Sequence, residues 1–125
     1  MKEKVFNFIK ETFGAQPEYL WEDSPDTAAI RNKRNKKWFA AYIGNLKKSK
    51  LGLNGEGTVD ILNLKCDPLF QYTLVDNIGI FKAYHMNKTH WISVLLDGTV
   101  EMERLKFLIC ESYSLIDKKG KKVGK

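Results

Sequence analysis

The stretch Thr58-Val59-Asp60-Ile61-Leu62-Asn63-Leu64-Lys65-Cys66-Asp67-Pro68 decides the fold. Leu62, Leu64 and Cys66 alternate with Ile61, Asn63 and Lys65, which is the two-residue period of a β-strand. Residues 58–66 are therefore expected to form a strand with Leu62, Leu64 and Cys66 on its core face. Asp67-Pro68 stops the strand and opens a helix. An aspartate accepts hydrogen bonds from the free N–H groups of a first helical turn, and proline, lacking an N–H, fits the first helical position. That helix is expected to run to Asp76 or Asn77.

Working towards the N-terminus, Trp38-Phe39-Ala40-Ala41-Tyr42-Ile43 is apolar on both faces, so residues 37–43 read as a central strand. It pairs with Thr27–Arg31 through a polar turn containing Asn32 and Asn35, residues that tolerate turn geometry. Residues 44–57, rich in Gly, Asn and Lys, read as an exposed loop. Tyr19, Leu20 and Trp21 suggest a short strand ahead of the Asp23-Ser24-Pro25 turn. Val5, Phe6, Ile9 and Phe13 recur at helical spacing over residues 3–13, and Gly14 is a suitable stop.

Working towards the C-terminus, residues 82–86 read as extended. Residues 90–96 form a strand with Ile92, Val94 and Leu96 on one side. Asp97-Gly98-Thr99 reads as a turn and helix cap, and Glu101 and Glu103 suit the positive end of the helix that follows. Leu105, Leu108, Ile109, Ser112 and Ile116 give that helix its buried stripe. Strands joined by short turns, with helices before, between and after them, indicate an α+β domain: an antiparallel sheet with helices packed on it.

The 125 residues fit one domain, expected over residues 1–117, with 118–125 a basic, flexible tail. The chain is 43% hydrophobic and 29% charged, a globular composition. Its apolar runs fall far short of the roughly 20 residues of a membrane span, and no signal-peptide core follows the N-terminus. The expected location is the cytoplasm. Cys66 and Cys110 form no CxxC pair, and each sits in an apolar pattern expected of a core residue.

The net charge is +6, which favours polyanions. Thirteen of the 21 Lys and Arg fall in three groups: Arg31, Lys33, Arg34, Lys36 and Lys37; then Lys47, Lys48 and Lys50; then Lys118, Lys119, Lys121, Lys122 and Lys125. Lysines and arginines on a protruding β-turn can reach phosphates.

Ala83-Tyr84-His85-Met86-Asn87-Lys88-Thr89-His90-Trp91 concentrates two histidines, an asparagine, a lysine and two aromatics. One reading is a pocket around Tyr84, His85, Lys88, His90 and Trp91. The structural alternative, which is favoured, is a corner between strands with Tyr84, Met86 and Trp91 packed inward and the polar groups bonded to backbone. His85 and His90 are five apart, on opposite faces of a strand, and no cysteine or carboxylate completes a zinc spacing, so no metal is expected. A nucleophilic Cys66 with His85 or His90 conflicts with the core-facing phase of Cys66. The sequence holds no GxxxxGK[ST], GxGxxG, GxSxG or HExxH. Gly52-Leu53-Asn54-Gly55-Glu56-Gly57 precedes a strand rather than a helix and so is no phosphate cradle. No enzymatic activity and no cofactor are expected.

Residues 28–116 resemble the YjbR/MmcQ family of small bacterial domains. The matching pieces are Ile30-Arg31, Lys36-Lys37-Trp38-Phe39-Ala40, Leu51-Gly52-Leu53, the run from Val59 to Pro68, the run from Ala83 to Trp91, Leu95-Leu96-Asp97-Gly98-Thr99 and Ser112-Tyr113. The resemblance implies a double-wing fold. It also implies DNA binding, a label that rests on fold analogy, and it carries over no catalytic residues. The chain departs from the family in the helix after Asp67-Pro68, where Phe70, Tyr72 and Val75 make it more apolar. The leading expectation is a DNA-binding, transcription-associated domain. Arg31, Lys33, Arg34, Lys36 and Lys37 would contact phosphates, Lys47, Lys48 and Lys50 would add field, and Lys88 would contribute. A protein-interaction module using the 69–75 helix, and a small-ligand pocket in the 84–91 block, are the alternatives.

Overall fold

A computed structural model describes residues 1–117. The basic segment 118–125 lies outside the described residues. The elements are α1 (Lys2–Phe13), β1 (Thr27–Arg31), β2 (Trp38–Lys47), a 3-10 turn (Lys48–Leu51), β3 (Thr58–Lys65), α2 (Pro68–Leu74), β4 (Ile80–Lys82), β5 (Trp91–Leu95) and α3 (Met102–Ile116). The five strands form one sheet in the order β1-β2-β3-β5-β4, with every neighbouring pair antiparallel. The protein is thus an α+β domain of the expected kind. No helix among the described residues is long and apolar enough to cross a membrane.

The alternation in β3 places its two faces in two different environments. Leu62, Leu64 and Cys66 join Ile30, Ala40, Tyr42, Ile92 and Val94 in the main core, against Val5 and Ile9 of α1 and Leu105, Leu108, Ile109 and Ile116 of α3. On the other face Ile61 packs with Leu46, Phe81 and Leu95, and Leu51 and Leu53 from the loop after β2 fold over this smaller cluster. Ser112, fully buried in α3, ties that helix to the sheet: its Oγ donates to the Phe39 carbonyl and accepts from the Lys65 N–H at 2.9 Å.

Several boundaries differ from the sequence reading. β2 continues to Lys47, because the left-handed Asn45 (φ 54°) absorbs an irregularity after Ile43 and lets pairing with β3 resume at Leu46. α2 ends at Leu74 instead of Asp76 or Asn77. There the N–H groups of Asp76 and Asn77 turn to the Ile80 carbonyl, and Asp76 Oδ1 accepts from the N–H groups of Ile78, Gly79 and Ile80 at 2.9–3.0 Å. β4 covers residues 80–82 rather than 82–86. Beyond it the Tyr84 N–H leaves the ladder for Ser93 Oγ, and His85 takes φ 61°. Near Tyr19 only one bridge forms, between Glu18 and Ala29. Asp97 Oδ1 caps the Thr99 N–H, but α3 starts three residues later, at Met102, behind Glu101.

Two side chains also sit elsewhere than expected. Cys110 is exposed, since it falls outside the Leu105–Leu108–Ile109–Ser112 stripe of α3. Trp38 is half-buried at the sheet end, edge-on to Trp21 with ring centroids 5.7 Å apart.

Candidate polyanion interface

The β1–β2 turn is built around Asn32, which is 1% exposed. Its Oδ1 accepts from the N–H groups of Arg34 at 2.7 Å and Asn35 at 3.2 Å, and its Nδ2 donates to Asp117 Oδ1 at 2.7 Å. Asn35 Nδ2 donates to the Ile116 carbonyl, and Asn35 Oδ1 accepts from the Lys37 N–H. Lys36 closes the turn at φ 66°. The turn therefore caps the C-terminus of α3, a role that its Asn-rich sequence supports chemically.

Two of its five cations are engaged, one of them by that role. Arg34 pairs with Asp117 at 2.5 Å, and Arg31 Nε lies 3.3 Å from Glu18. Lys33 and Lys36 line an open polar hollow of about 440 Å³ beside Gly14 and Gln16, with Arg31 and Glu18 in its wall. Lys37 is exposed.

Lys47 and Lys48 stand at the far end of β2 from this turn. The strand has ten residues, which at strand rise separates the two groups by roughly 30 Å. Lys47 and Lys48 border a hollow of about 420 Å³ with Gly55 and Thr58.

Lys50 does not stay with them. The loop that folds over the smaller apolar cluster carries it to a shallow cleft of about 220 Å³ that it shares with Leu51, Lys82, Tyr84 and Lys88. Three lysines from three separate segments therefore line one cleft together with Phe81 and Tyr84, and no acid lines it. The sequence reading missed Lys82. A lone lysine closing a short strand carries no signal in the sequence.

The 84–91 block is a corner between β4 and β5 that meets the structural alternative in part: Trp91 is buried, Tyr84 and Met86 are half-buried, and backbone groups of the corner are held by polar side chains. Asn63 and Ser93, both fully buried, face each other across β3 and β5. Ser93 Oγ donates to Asn63 Oδ1 and accepts from the Tyr84 N–H, while Asn63 Nδ2 donates to the Tyr84 carbonyl at 2.9 Å. Asn87 Oδ1 accepts from the N–H groups of Thr89 and His90, and Gln71 Nε2 reaches the carbonyls of Lys88 and Trp91.

The five side chains of the pocket reading do not converge. Tyr84 and Lys88 line the cleft, but Trp91 is buried in β5, and His85 and His90 are exposed. The His85 ring lies on Tyr84 at 4.0 Å between centroids. Burial, followed by the Asp67 charge, pushes the Cys66 thiol up, which opposes the thiolate that a nucleophile needs. Among the described residues no three of His, Cys, Asp and Glu gather as metal ligands.

Exposed ammonium groups of this kind attract phosphate-like anions.

Comparison with known proteins supplies the family. The model of the YjbR family matches residues 11–115. The uncharacterized protein YyaQ of Bacillus subtilis (strain 168) is 42% identical over 114 residues, covering 91% of this chain and 96% of YyaQ. A crystal structure of a Pseudomonas syringae protein superposes with a TM-score of 0.87 at 35% identity, covering 92% of this chain and 97% of that one. Deinococcus radiodurans protein DR2400, described as a DUF419 domain, gives a TM-score of 0.71 at 26% identity, covering 96% of this chain and 80% of its own. Two-fifths identity to YyaQ along nearly its whole length, with the same sheet and helices in the solved relatives, leaves one assignment: the chain belongs to the YjbR family.

Proposed function

We propose that this protein is a non-enzymatic, cytoplasmic, double-wing domain that binds DNA through its phosphate backbone, and that the cleft of Lys50, Lys82 and Lys88 is its main contact. One observation carries the reading. These three lysines converge from separate segments, and none of them lies within ion-pair distance of an acid among the described residues. Unpaired, convergent ammonium groups repel one another mildly and gain by neutralising phosphates, which release their condensed counterions. Lys33, Lys36 and Lys37 form a second contact at the β1–β2 turn, and Lys47 and Lys48 a third. Arg31 and Arg34 are assigned to the fold, because each already holds a carboxylate.

Titration of a labelled DNA duplex at several salt concentrations tests this reading. Log affinity falls linearly with log salt, with a slope of about 0.9 per phosphate neutralised. Reversing Lys50, Lys82 and Lys88 to glutamate abolishes binding while the thermal melt stays in place. Failure to bind at low salt, or binding indifferent to the triple reversal, overturns it.

A further inference from the structure

α2 has no buried residue. Its Leu69, Phe70 and Tyr72 are 74%, 59% and 81% exposed, and Phe107 on the neighbouring α3 is 61% exposed. A helix of seven residues does not persist on its own hydrogen bonds. This one is fastened by its polar residues: the Asp67 side chain caps the Leu69 N–H at 2.9 Å, and Gln71 reaches the backbone of the 84–91 corner. Leu74 packs against the core, while Leu69, Phe70 and Tyr72 are left on display. Between α2 and α3 runs a groove of about 340 Å³ walled by Phe70, Leu74, Ile92, Phe107, Leu108 and Leu115.

We infer that this face joins two copies of the chain, the α2 ridge of each seated in the α2–α3 groove of the other. Three features select a second copy as the occupant. First, ridge and groove adjoin on one surface and share Phe70, so the surface is self-complementary, as a two-fold interface requires. Second, the size fits. Large apolar and aromatic side chains carry on the order of 200 Å² each, so these four expose roughly 500–600 Å² before the groove walls are counted. That is at the upper end of what monomers leave in one patch and approaches the roughly 800 Å² per copy of a standard interface. Third, the charge allows it. Two copies at +6 each repel, but the charged residues lining the groove are Lys65, Asp67 and Glu111, so the groove does not share the basic excess. The lysine cleft shares no lining residue with this groove.

Sedimentation velocity of the full chain over about 1–300 µM tests the inference, the low-end interface area placing dissociation in the micromolar range. The weight-average mass rises from monomer to dimer across that range. Phe70→Glu with Phe107→Glu holds the chain monomeric throughout, with an unchanged melt because both rings are exposed. If that variant does not fold, Leu69→Glu with Tyr72→Glu supplies the same readout. A chain monomeric at every concentration overturns the inference and gives the face to an apolar segment of another protein. A dimer that survives the substitutions overturns it too, by placing the interface elsewhere.

Discussion

Asn32 Nδ2 donates to Asp117 Oδ1 at 2.7 Å, joining the β1–β2 turn to the end of α3 across 85 residues of sequence. The same asparagine holds the turn's own N–H groups with its Oδ1. Replacing Asn32 by alanine takes the side-chain acceptor from the Arg34 and Asn35 N–H groups and removes one of the bonds to Asp117. A buried polar group left unmade costs about 1–3 kcal/mol. We expect Asn32→Ala to lose about 2 kcal/mol in urea unfolding. Arg34→Ala should lose less than 1 kcal/mol, because its ion pair with Asp117 is half in solvent. Equal losses for the two variants would refute this division of labour.

The division extends to binding. If Arg34 serves the fold and Lys88 the polyanion, Lys88→Ala should lower the salt slope of DNA binding by about 0.9, the contribution of one phosphate. It should leave the urea midpoint alone. Arg34→Ala should do the reverse. The two variants, run side by side in titration and in unfolding, give a crossed pattern that a diffuse electrostatic surface would not produce.

Local patterning made much of this molecule legible and long-range convergence did not. The alternation around Leu62 and Leu64, the Asp67-Pro68 start and the Leu105–Ile116 stripe are signals set by neighbours in sequence, and the structure follows each. Cys110 misled because its apolar neighbours do not reveal its phase on α3; the stripe positions do, and they leave Cys110 outside. The meeting of Lys50, Lys82 and Lys88 depends on a loop folding across the sheet, which no period encodes. Pairing Arg31 with Glu18 and Arg34 with Asp117 likewise depends on tertiary placement, so a basic run in sequence overstated the free charge at the turn. Phe70 and Tyr72 departed from the family pattern in a direction that the sequence alone left open. With seven residues, α2 is too short for a helical period to decide between burial and display.

The Asn63–Ser93 pair is expected to set the stability of the 84–91 corner. Asn63→Leu keeps the branched shape and the number of side-chain heavy atoms, though it is bulkier, and leaves the Tyr84 carbonyl without its donor and the Ser93 O–H without its acceptor. A loss of about 2–3 kcal/mol follows from the unmade bonds. Amide exchange at residues 84–91 should rise, while α1 keeps its relative protection. Ser93→Ala likewise leaves two groups without a partner, the Tyr84 N–H and Asn63 Oδ1, and should lose a similar amount. A neutral Asn63→Leu would show that the corner is held by packing alone.

Acid should unfasten the turn after α2. The N–H groups that hold Asp76, Ile80 first and then Ile78 and Gly79, keep its carboxyl below the ordinary value of 3.8, against a smaller opposing effect of burial. A group whose folded value is depressed adds stability that is fully present above the unfolded value and is lost as pH falls through the folded one. The contribution of Asp76 is therefore constant from neutrality down to about pH 5 and fades below 3.8. Asp76→Asn retains an acceptor for these N–H groups without the charge. We expect it to cost less than about 1 kcal/mol at pH 7, since Asp76 is exposed and solvent screens the advantage of a charge-assisted over a neutral hydrogen bond. The gap between the two proteins should narrow as pH falls from 4 towards 2, since the aspartate then carries a proton as well. Urea midpoints for both proteins across pH 2–7 measure it. A gap that stays constant to the acid end would mean that the charge of Asp76 does not hold this turn.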